Sequence, residues 1–461
     1  MTGRAGRLLR LAGTTTLIAL PQCVGAPTAT AVTPPAVDPA LLPAPAAAMP
    51  AQPTAQRLVC ATPTFDPDRA AAPGQLDGLD LAAVWSLSRG AGQRIAVIDT
   101  GVSPHRRLPA LVGGGDYVSG GDGTQDCDGH GTVAAGIIAA APDPASDQFS
   151  GVAPGATVIA IRQSSSRFAP LHAGSAAAVG DVETLAKAVR TAADLGASVI
   201  NISSVACEPV TAGIDDRALG AALAYAVEVK NAVVVAAAGN AGDGEPCPTQ
   251  DAGAGWNDVT VAVSPAWYDD LVLTVGSVDA QGAPSAFTLA GPWVDVAAPG
   301  EGVLSLGPVG DAMVNSTGAT DGARPLYGTS YAAPVVSGLV ALVRSRFPAW
   351  APRQVMERIR ATAHHPPGGR NNAVGNGVVD PLAALSTVAP PPAVVSDSGT
   401  GAAQADRLVS PGSQPPGRRT ALGGTAGLFA ALLLAVTARS MRMRSAPRRD
   451  HVAGDQRVLP A

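Results

Sequence analysis

Short apolar runs alternate with longer amphipathic stretches from about residue 75 to residue 388. Six of the runs are four to six residues long and apolar on both faces, which is the pattern of strands buried inside a parallel sheet. Between them, residues 182–195 and 218–229 have the apolar spacing of amphipathic helices. This order predicts an α/β domain in which helices cover both faces of a mostly parallel sheet. The predicted strands are residues 94–98, 157–161, 198–202, 232–237, 272–275 and 294–297.

A further helical pattern begins directly after Gly328-Thr329-Ser330. Ser330 is therefore predicted at a helix N-terminus, where free backbone N–H groups and the positive end of the helix dipole favour negative charge. Pro334 is compatible with this helix, because the N–H that proline lacks has no intrahelical partner in the first turn. Taken alone, a serine in this position indicates an N-cap, so its role depends on the polar residues found elsewhere.

Two of the predicted strands end in polar residues. Asp99 follows the first strand directly, and this carboxylate needs a donor or a cation because burying it unpaired is costly. Asn240 follows the fourth strand after the small residues 236–239, which leave room for a substrate. Each residue alone is also typical of a turn or a helix cap. Ligands of parallel sheets, however, bind beyond the carboxyl ends of the strands.

His130 lies between two glycines at the start of a helical stretch of small residues. The glycines allow a substrate or another backbone segment to come close to the imidazole. Asp126, Asp128 and His130 could also ligate a metal, since carboxylates and imidazole both bind metals. No second histidine or cysteine ligand stands at helical spacing, so the sequence predicts neither a metal nor another cofactor.

Asp99, His130, Asn240 and Ser330 together supply the groups that acyl transfer requires. A serine hydroxyl is a poor nucleophile unless a base takes its proton, and imidazole can do so near neutral pH. A carboxylate fixes the imidazole tautomer and stabilises the imidazolium. An amide N–H and the N–H of the serine itself can hold the oxyanion. The four residues therefore predict an acyl-transfer site.

The N-terminus has the three-part pattern of a secretory signal peptide. Three arginines precede a mostly apolar run, and a small-residue exit offers cleavage after Ala26 or Ala31. Residues 1–26 are taken as the signal. Cys23 leaves a lipoprotein signal open, although the residues before it match a lipobox poorly. Residues 27–74 form a Pro/Ala-rich N-terminal extension, and the composition of residues 27 to about 57 predicts an extended chain without a core.

The C-terminal sequence predicts a membrane anchor. Residues 389–420 form a Pro-rich linker. Residues 421–438 are 18 residues without a charge, enough for a helix of about 27 Å. More arginines follow this segment than precede it, so the basic tail, residues 439–461, should stay in the cytoplasm and the main domain, residues 75–388, outside it. A buried core helix is the alternative for the apolar segment.

The charge pattern argues against nucleic acid as a partner, because the net charge is −5 and no basic stripe is present. The chain has five cysteines, and removal of Cys23 with the signal leaves four. An exported domain can form disulfides. Four cysteines allow three pairings, and the sequence alone does not choose between them. Free buried thiols are the alternative.

The chain order Asp99, His130, Ser330 is similar to that of the triad in subtilisin-like serine proteases. The surrounding motifs also resemble that family: AVIDTGV contains the aspartate, DGHGT the histidine and GTSYAAP the serine, while AAAGN ends at Asn240. The resemblance covers residues 75–388 and implies a subtilisin-like three-layer α/β fold. It implies that Ser330 is the nucleophile, His130 the general base and acid, Asp99 the orienting carboxylate and Asn240 the oxyanion-hole donor.

Signal peptide, peptidase domain, linker, single span and basic tail together resemble the mycosins, which are membrane-anchored proteases of actinobacterial type VII secretion systems. DCDGHGT and GPWVDVAAPG look like motifs of that subgroup. The resemblance implies protein substrates, partners among the membrane components of the secretion system, and a second role in stabilising that complex. Many subtilases have Ser-Leu-Gly-Gly after the third strand, whereas residues 203–207 here read SSVAC, so the pocket walls should differ.

In mycosin-like proteins the N-terminal extension stays attached, and two disulfides would support such tethering. Cys60 lies in the extension and Cys127 lies three residues before His130, so this pair would hold the extension beside the active site. Cys207 and Cys247 follow the third and fourth strands and could meet if those strands are neighbours. Two other functions remain open: a chiefly structural component of the secretion machinery, or a general extracytoplasmic degradative protease.

Overall fold

A computed structural model describes residues 32–70, 74–172, 178–318 and 323–386 of the chain, together with the backbone of residues 459–460. Its centre is a seven-stranded sheet in which every neighbouring pair of strands is parallel. The order across the sheet is β7-β6-β5-β4-β1-β3-β2, which confirms the predicted α/β class. Along the chain the strands are β1 Arg94–Asp99, β2 Leu111–Asp116, β3 Thr157–Arg162, β4 Val199–Ile202, β5 Val233–Ala237, β6 Val272–Val278 and β7 Val296–Pro299.

Six of these strands coincide with the predicted ones to within a few residues, because their side chains are buried on both faces of the sheet. β2 is absent from the predicted set. It lies at the edge of the sheet, contains three consecutive glycines and leaves Val112 exposed, so it has no continuous apolar run. The sequence pattern therefore reveals the buried strands and not this edge strand.

Helices pack on the sheet in pairs, α2 with α5 and α3 with α4. The predicted helix at residues 182–195 is α3, which begins with a capping box between Asp181 and Thr184. α2 and α5 are buried along nearly their whole length. The helices are α1 Leu81–Leu87, α2 His130–Ala139, α3 Val182–Asp194, α4 Arg217–Ala224 with a π-turn Tyr225–Val229, α5 Thr329–Arg346, α6 Pro352–Thr362 and α7 Pro381–Ser386.

Short elements surround this core. A four-residue helix lies at Pro67–Ala70, and 3₁₀ turns lie at Pro39–Leu41 and Asp77–Leu79. The short strands all pair antiparallel: Thr54–Gln56 with Phe168–Pro170, Ser204–Pro209 with both Val261–Ser264 and Leu459–Pro460, Ser305–Leu306 with Met313–Val314, and Ser316–Thr317 with Arg324–Pro325.

The N-terminal extension is more closely packed than its Pro/Ala-rich sequence predicts. Val32, Leu42 and Ala48 pack against the hydrophobic core. Residues 54–56 add a strand to the domain. The described part of the extension therefore buries apolar side chains on the core of the peptidase domain, which its Pro/Ala-rich sequence does not predict.

The signal peptide, the linker and the apolar segment 421–438 lie outside the described residues. Within the part of the chain that the structure describes, no helix is both long and apolar enough to cross a membrane. Of the tail, only Leu459–Pro460 is described, and these residues pair with Val205 and Ser204 of the peptidase domain. This position differs from the cytoplasmic one predicted for residues 439–461.

Candidate active site

The carboxyl edge of the central sheet brings together three of the predicted residues. Asp99 ends β1, His130 begins α2, and Ser330 is the second residue of α5. His130 Nδ1 lies 2.8 Å from Asp99 Oδ1, and His130 Nε2 lies 2.9 Å from Ser330 Oγ. Both separations are hydrogen-bond distances, so the side chains form a continuous carboxylate–imidazole–hydroxyl chain.

Glycines at the start of α2 and α5 allow this approach. Gly129 precedes His130 with φ of 83°, and Gly328 precedes Thr329 with φ of 147°. Side chains rarely tolerate these backbone conformations. Each glycine therefore turns the chain sharply into its helix and places the following residues at the sheet edge.

The charge of Asp99 controls the protonation of His130. Burial disfavours the imidazolium, but the charge of Asp99 and its hydrogen bond outweigh burial and raise the pKa of His130 above its ordinary 6.5. Asp99 is only 2% exposed, and its ionised carboxylate can only accept, so His130 Nδ1 donates to it. In the neutral imidazole, Nε2 then faces the Ser330 hydroxyl as an acceptor.

Asp126 and Asp128, the candidate metal ligands beside His130, are engaged in protein hydrogen bonds. Asp126 accepts from the N–H groups of Gly129 and Thr132 at 2.7 and 2.8 Å, and so caps the N-terminus of α2. Asp128 accepts from Ser166 N–H at 2.8 Å. Among the described residues, no group of three or more His, Cys, Asp or Glu side chains is placed to hold a metal ion. Structural roles thus account for both carboxylates.

Thr100 joins the two elements that carry Asp99 and His130. Its Oγ1 donates to Asp126 Oδ1 at 2.8 Å and accepts from Gly131 N–H at 3.0 Å. Thr100 follows Asp99 and Gly131 follows His130, so β1 and α2 are tied together one residue beyond each functional side chain. The sequence predicts neither partner, although a threonine beside a buried carboxylate commonly bonds to the backbone.

Asn240 lies just beyond β5 and faces the N-terminus of α5. Its Oδ1 accepts from Thr329 N–H at 3.0 Å and from Thr329 Oγ1 at 2.9 Å. The amide oxygen is thereby held toward Thr329, which leaves Nδ2 to donate elsewhere. Ser330 N–H, in the first turn of α5, has no carbonyl partner within the helix. Sequence reasoning missed Thr329, because nothing in its motif pairs it with Asn240.

Asn240→Ala is expected to lower kcat by about 100- to 1000-fold with little change in KM, the effect of removing one oxyanion donor in subtilisin. Thr329→Val keeps the backbone donor and loses only the hydroxyl. Its kcat should therefore fall less than that of Asn240→Ala, again with little change in KM. Steady-state kinetics on a peptide substrate separate kcat from KM. A rise in KM at constant kcat would instead place Asn240 in ground-state substrate binding.

Tyr331 adds a second contact to the imidazole. Its ring centroid lies 4.9 Å from that of His130, at an interplanar angle of 33°. Burial raises the pKa of the Tyr331 hydroxyl, so the ring stays neutral beside Asp99 and Asp126. The tyrosine therefore helps to shield the imidazole from water without adding a charge.

Two disulfides lie close to the site, with the predicted pairing. Cys60 and Cys127 are joined with a Cα–Cα distance of 4.5 Å, and Cys207 and Cys247 with 5.3 Å. The first bond joins the extension to the loop before α2. The second follows β4 and β5, which are neighbours in the sheet, and Cys247 N–H donates to the Asn240 carbonyl at 3.0 Å. Each disulfide therefore constrains a segment that carries a site residue.

A double Cys60→Ser, Cys127→Ser variant is expected to lower the free energy of unfolding by about 4 kcal/mol, because the bond closes a long loop in the unfolded chain. The separation is 67 residues. Denaturant unfolding without reductant measures the loss. Reductant should then destabilise the wild type more than the variant, which keeps only the 40-residue bond. Equal stability of variant and wild type would contradict the expectation.

Comparison with known proteins defines the class to which this fold and site belong. The model of the Subtilase family matches residues 90–377, more than half of the chain. The chain therefore belongs to the subtilase family.

Within that family the chain is similar to Mycosin-4 of Mycobacterium tuberculosis (strain ATCC 25618 / H37Rv), with 59% identity over 461 residues, covering 98% of this chain and 100% of that protein. The structure of the MycP3 protease from the type VII (ESX-3) secretion system matches with a TM-score of 0.72 and 48% identity, over 77% of this chain and 99% of that chain. A chain of the intact ESX-5 inner membrane complex matches with a TM-score of 0.72 and 40% identity, over 89% of this chain and 100% of that chain. These relatives bear out the resemblance to mycosins.

Proposed function

We propose that the protein is a membrane-anchored serine endopeptidase that cleaves proteins exported by a type VII secretion system and also stabilises the secretion complex. The continuous hydrogen-bonded chain from Asp99 through His130 to Ser330 is the observation that carries the peptidase activity. The likeness to the MycP3 protease and to a chain of the ESX-5 inner membrane complex supports the second role.

In this mechanism, Ser330 Oγ attacks the scissile carbonyl carbon while His130 Nε2 takes the hydroxyl proton. Asp99 holds the imidazole and stabilises the imidazolium. The oxyanion accepts hydrogen bonds from Asn240 Nδ2 and Ser330 N–H. His130 then gives its proton to the leaving amine, and the acyl group stays on Ser330. Water, deprotonated by His130, hydrolyses this acyl-enzyme and restores the serine.

The substrate would bind as an extended strand along Ser204 and Val205. Leu459–Pro460 pairs antiparallel with these two residues, which supports this edge as a binding place for an extended chain. Val205 occupies the position of the first glycine in the Ser-Leu-Gly-Gly of many subtilases. Its side chain is buried beside Gly239, so the pocket wall carries a bulk that glycine lacks.

The anchor in this proposal is the apolar segment 421–438, with the tail beyond it in the cytoplasm. Insertion would separate the tail from the peptidase domain, so the pairing of Leu459–Pro460 with Val205 would break and leave the edge open to substrates. A C-terminal epitope tag tests the topology in spheroplasts. It should resist added protease until the membrane is permeabilised. A tag digested in intact spheroplasts would overturn the anchoring.

The two proposed roles separate in a pair of strains, one with Ser330→Ala and one with the gene deleted. We expect Ser330→Ala to stop substrate processing while secretion continues, and deletion to stop both. Secretion that fails equally in both strains would mean that catalysis, and not the presence of the protein, supports export. Normal processing in the Ser330→Ala strain would refute Ser330 as the nucleophile. Broad cleavage of unrelated exported proteins would instead favour a degradative protease.

A further inference from the structure

The end of the central sheet opposite the active site carries a cluster of arginines. Arg94 begins β1, and Asp99 ends it, so the two residues mark opposite edges of the sheet. Arg89 lies in the loop before β1, and Arg344 and Arg346 lie in the last turn of α5. We call the side chains of Arg89, Arg94, Arg344 and Arg346 the basic end.

Hydrogen bonds hold the loop before β1 against the last turn of α5. Ser345 Oγ donates to the Ala91 carbonyl at 2.9 Å, and Arg346 Nη1 donates to the Leu87 carbonyl at 3.4 Å. The two segments that carry Arg89, Arg344 and Arg346 are therefore joined at this end of the sheet. The acceptors are neutral carbonyls, so these bonds leave the positive charge of the surface uncompensated.

Arg344 indicates that this surface has an anionic ligand. Its side chain is more than nine-tenths buried, and its Nε and Nη1 atoms have no hydrogen-bond partner among the described residues. Arg344 follows Ser337 by two helical turns, on the face where Ser337 Oγ donates to Asn201 of β4 at 2.8 Å. Arg344 therefore lies on the helix beyond the amino edge of the sheet. Burying an unpaired charge is costly, so a compensating anion is expected.

No carboxylate within the described residues forms an ion pair with any of the four arginines. Asp194 lies near Arg94, since Arg94 donates to the carbonyl of Leu195, the residue after Asp194. Its carboxylate is already paired with Arg190 at 2.5 Å and Lys230 at 3.0 Å. The basic end therefore stays positive, although the whole chain has a net charge of −5.

We propose that the basic end binds the phosphate headgroups of anionic phospholipids, and so holds the peptidase domain on the membrane with its active site facing away. This inference rests on the proposed membrane anchoring. Guanidinium groups match phosphate oxygens in charge and geometry. The last described helix, α7, packs against α1, whose final carbonyl is bonded by Arg346, so the chain leaves the domain near this surface.

The linker explains why a separate contact is needed and why a weak one suffices. Residues 389–420 separate the peptidase domain from the proposed anchor by 32 positions in the sequence, so the anchor keeps the domain near the membrane without by itself orienting it. The same tether gives the headgroups a high effective concentration at the domain surface. Several arginines that are each weakly attracted to an anionic surface can then fix the orientation.

Hydrogen exchange of the full-length chain in lipid nanodiscs tests this proposal. Residues 87–94 should exchange about tenfold more slowly in discs of phosphatidylcholine with phosphatidylglycerol than in discs of phosphatidylcholine alone. Salt at 1 M should abolish the difference, because it screens the attraction. An Arg344→Gln, Arg346→Gln double variant should lose it. Arg324→Gln, which removes an exposed arginine from another surface, should keep it.

The Arg344→Gln change should not unfold the protein, so unfolding would not explain a loss of the lipid-dependent protection. Removing a buried, unpaired charge should leave Tm in detergent unchanged or raise it by about 2 °C. A clear fall in Tm for Arg344→Gln would mean that the guanidinium has an internal partner, which overturns the proposal.

Three further outcomes would overturn the lipid as the ligand. Exchange could be equal in the two kinds of disc. Inorganic phosphate could protect residues 87–94 equally well in neutral discs, which would assign the site to a free anion. Protection could require an acidic protein of the secretion complex. Failure of the full-length chain to insert into neutral discs would refute the proposed membrane anchoring, and this outcome is distinct from a failure of the basic end to bind lipid. Binding of that chain to vesicles with phosphatidylglycerol, and not to neutral ones, would still support the basic end, whereas binding to neither would refute both.

Discussion

Replacing Ser330 with alanine is expected to reduce the kcat for peptide hydrolysis by about 10⁶-fold, the loss that follows removal of the nucleophile in subtilisin. The reason is geometric: His130 Nε2 lies 2.9 Å from Ser330 Oγ, and among the described residues no other hydroxyl is hydrogen-bonded to that nitrogen. Activity that persists would come from Asn240 and from substrate binding, which still favour attack by water. Steady-state assays with a quenched fluorescent peptide measure the loss.

Ser337→Ala is the matched control for Ser330→Ala. Ser337 lies in the same helix and is equally buried, but its hydroxyl donates to Asn201 and not to the His130 imidazole. This variant should keep turnover near that of the wild type. A fluorophosphonate probe should label the wild type and Ser337→Ala, and leave Ser330→Ala unlabelled. Labelling of Ser330→Ala would show that another residue is the nucleophile.

Asp99→Asn is expected to lower kcat by about 10⁴-fold, as the same change does in the chymotrypsin-type triad. The asparagine amide can donate to His130 Nδ1, which would leave the proton on Nε2. An imidazole with its proton on Nε2 cannot accept the proton of Ser330. Because the volume of the side chain is nearly unchanged, the variant should fold, and circular dichroism can verify this.

The pH profile gives Asp99→Asn a second readout. The charge of Asp99 raises the pKa of His130, and His130 must be neutral to act as a base. The wild-type kcat/KM should therefore fall as pH drops through a value above the ordinary 6.5 of histidine. Loss of the Asp99 charge should move this acidic limb to lower pH.

Asp122→Asn controls for a general change in charge. Asp122 is exposed, and among the described residues its side chain bonds only to Thr124. The Asp122→Asn variant should leave unchanged both kcat and the pH at which the acidic limb of kcat/KM falls. If the limb moves equally in the Asp99 and Asp122 variants, the shift reports net charge and not the contact between Asp99 and His130.

Most of the sheet and the side chains of the candidate site can be predicted from the sequence, because each has a local signal. The buried strands are apolar on both faces, and Asp99, His130 and Ser330 stand in short motifs with small neighbours. The pairing of Cys207 with Cys247 depends on β4 and β5 being adjacent. Motif order and strand ends thus predict the residues that the structure brings together.

The contacts that orient these side chains are tertiary and leave no local signal. Thr329 holds the Asn240 amide across 89 residues of sequence, and Thr100 reaches Asp126 across 26. Val32 and Leu42 pack against the core even though they lie in a Pro-rich extension, because the folded domain offers them an apolar surface. Such pairings depend on which strands and loops become neighbours in the fold. The hydropathy pattern of the sequence does not contain that information.

The bond between Cys60 and Cys127 has a consequence for maturation. A single cut anywhere from residue 61 to residue 74 would divide the chain into two pieces, yet the extension would remain covalently attached to the loop before His130. The cut protein would run as one band on a non-reducing gel and as two after reduction. Cleavage alone therefore cannot discard the extension, and its release would also require a reductant.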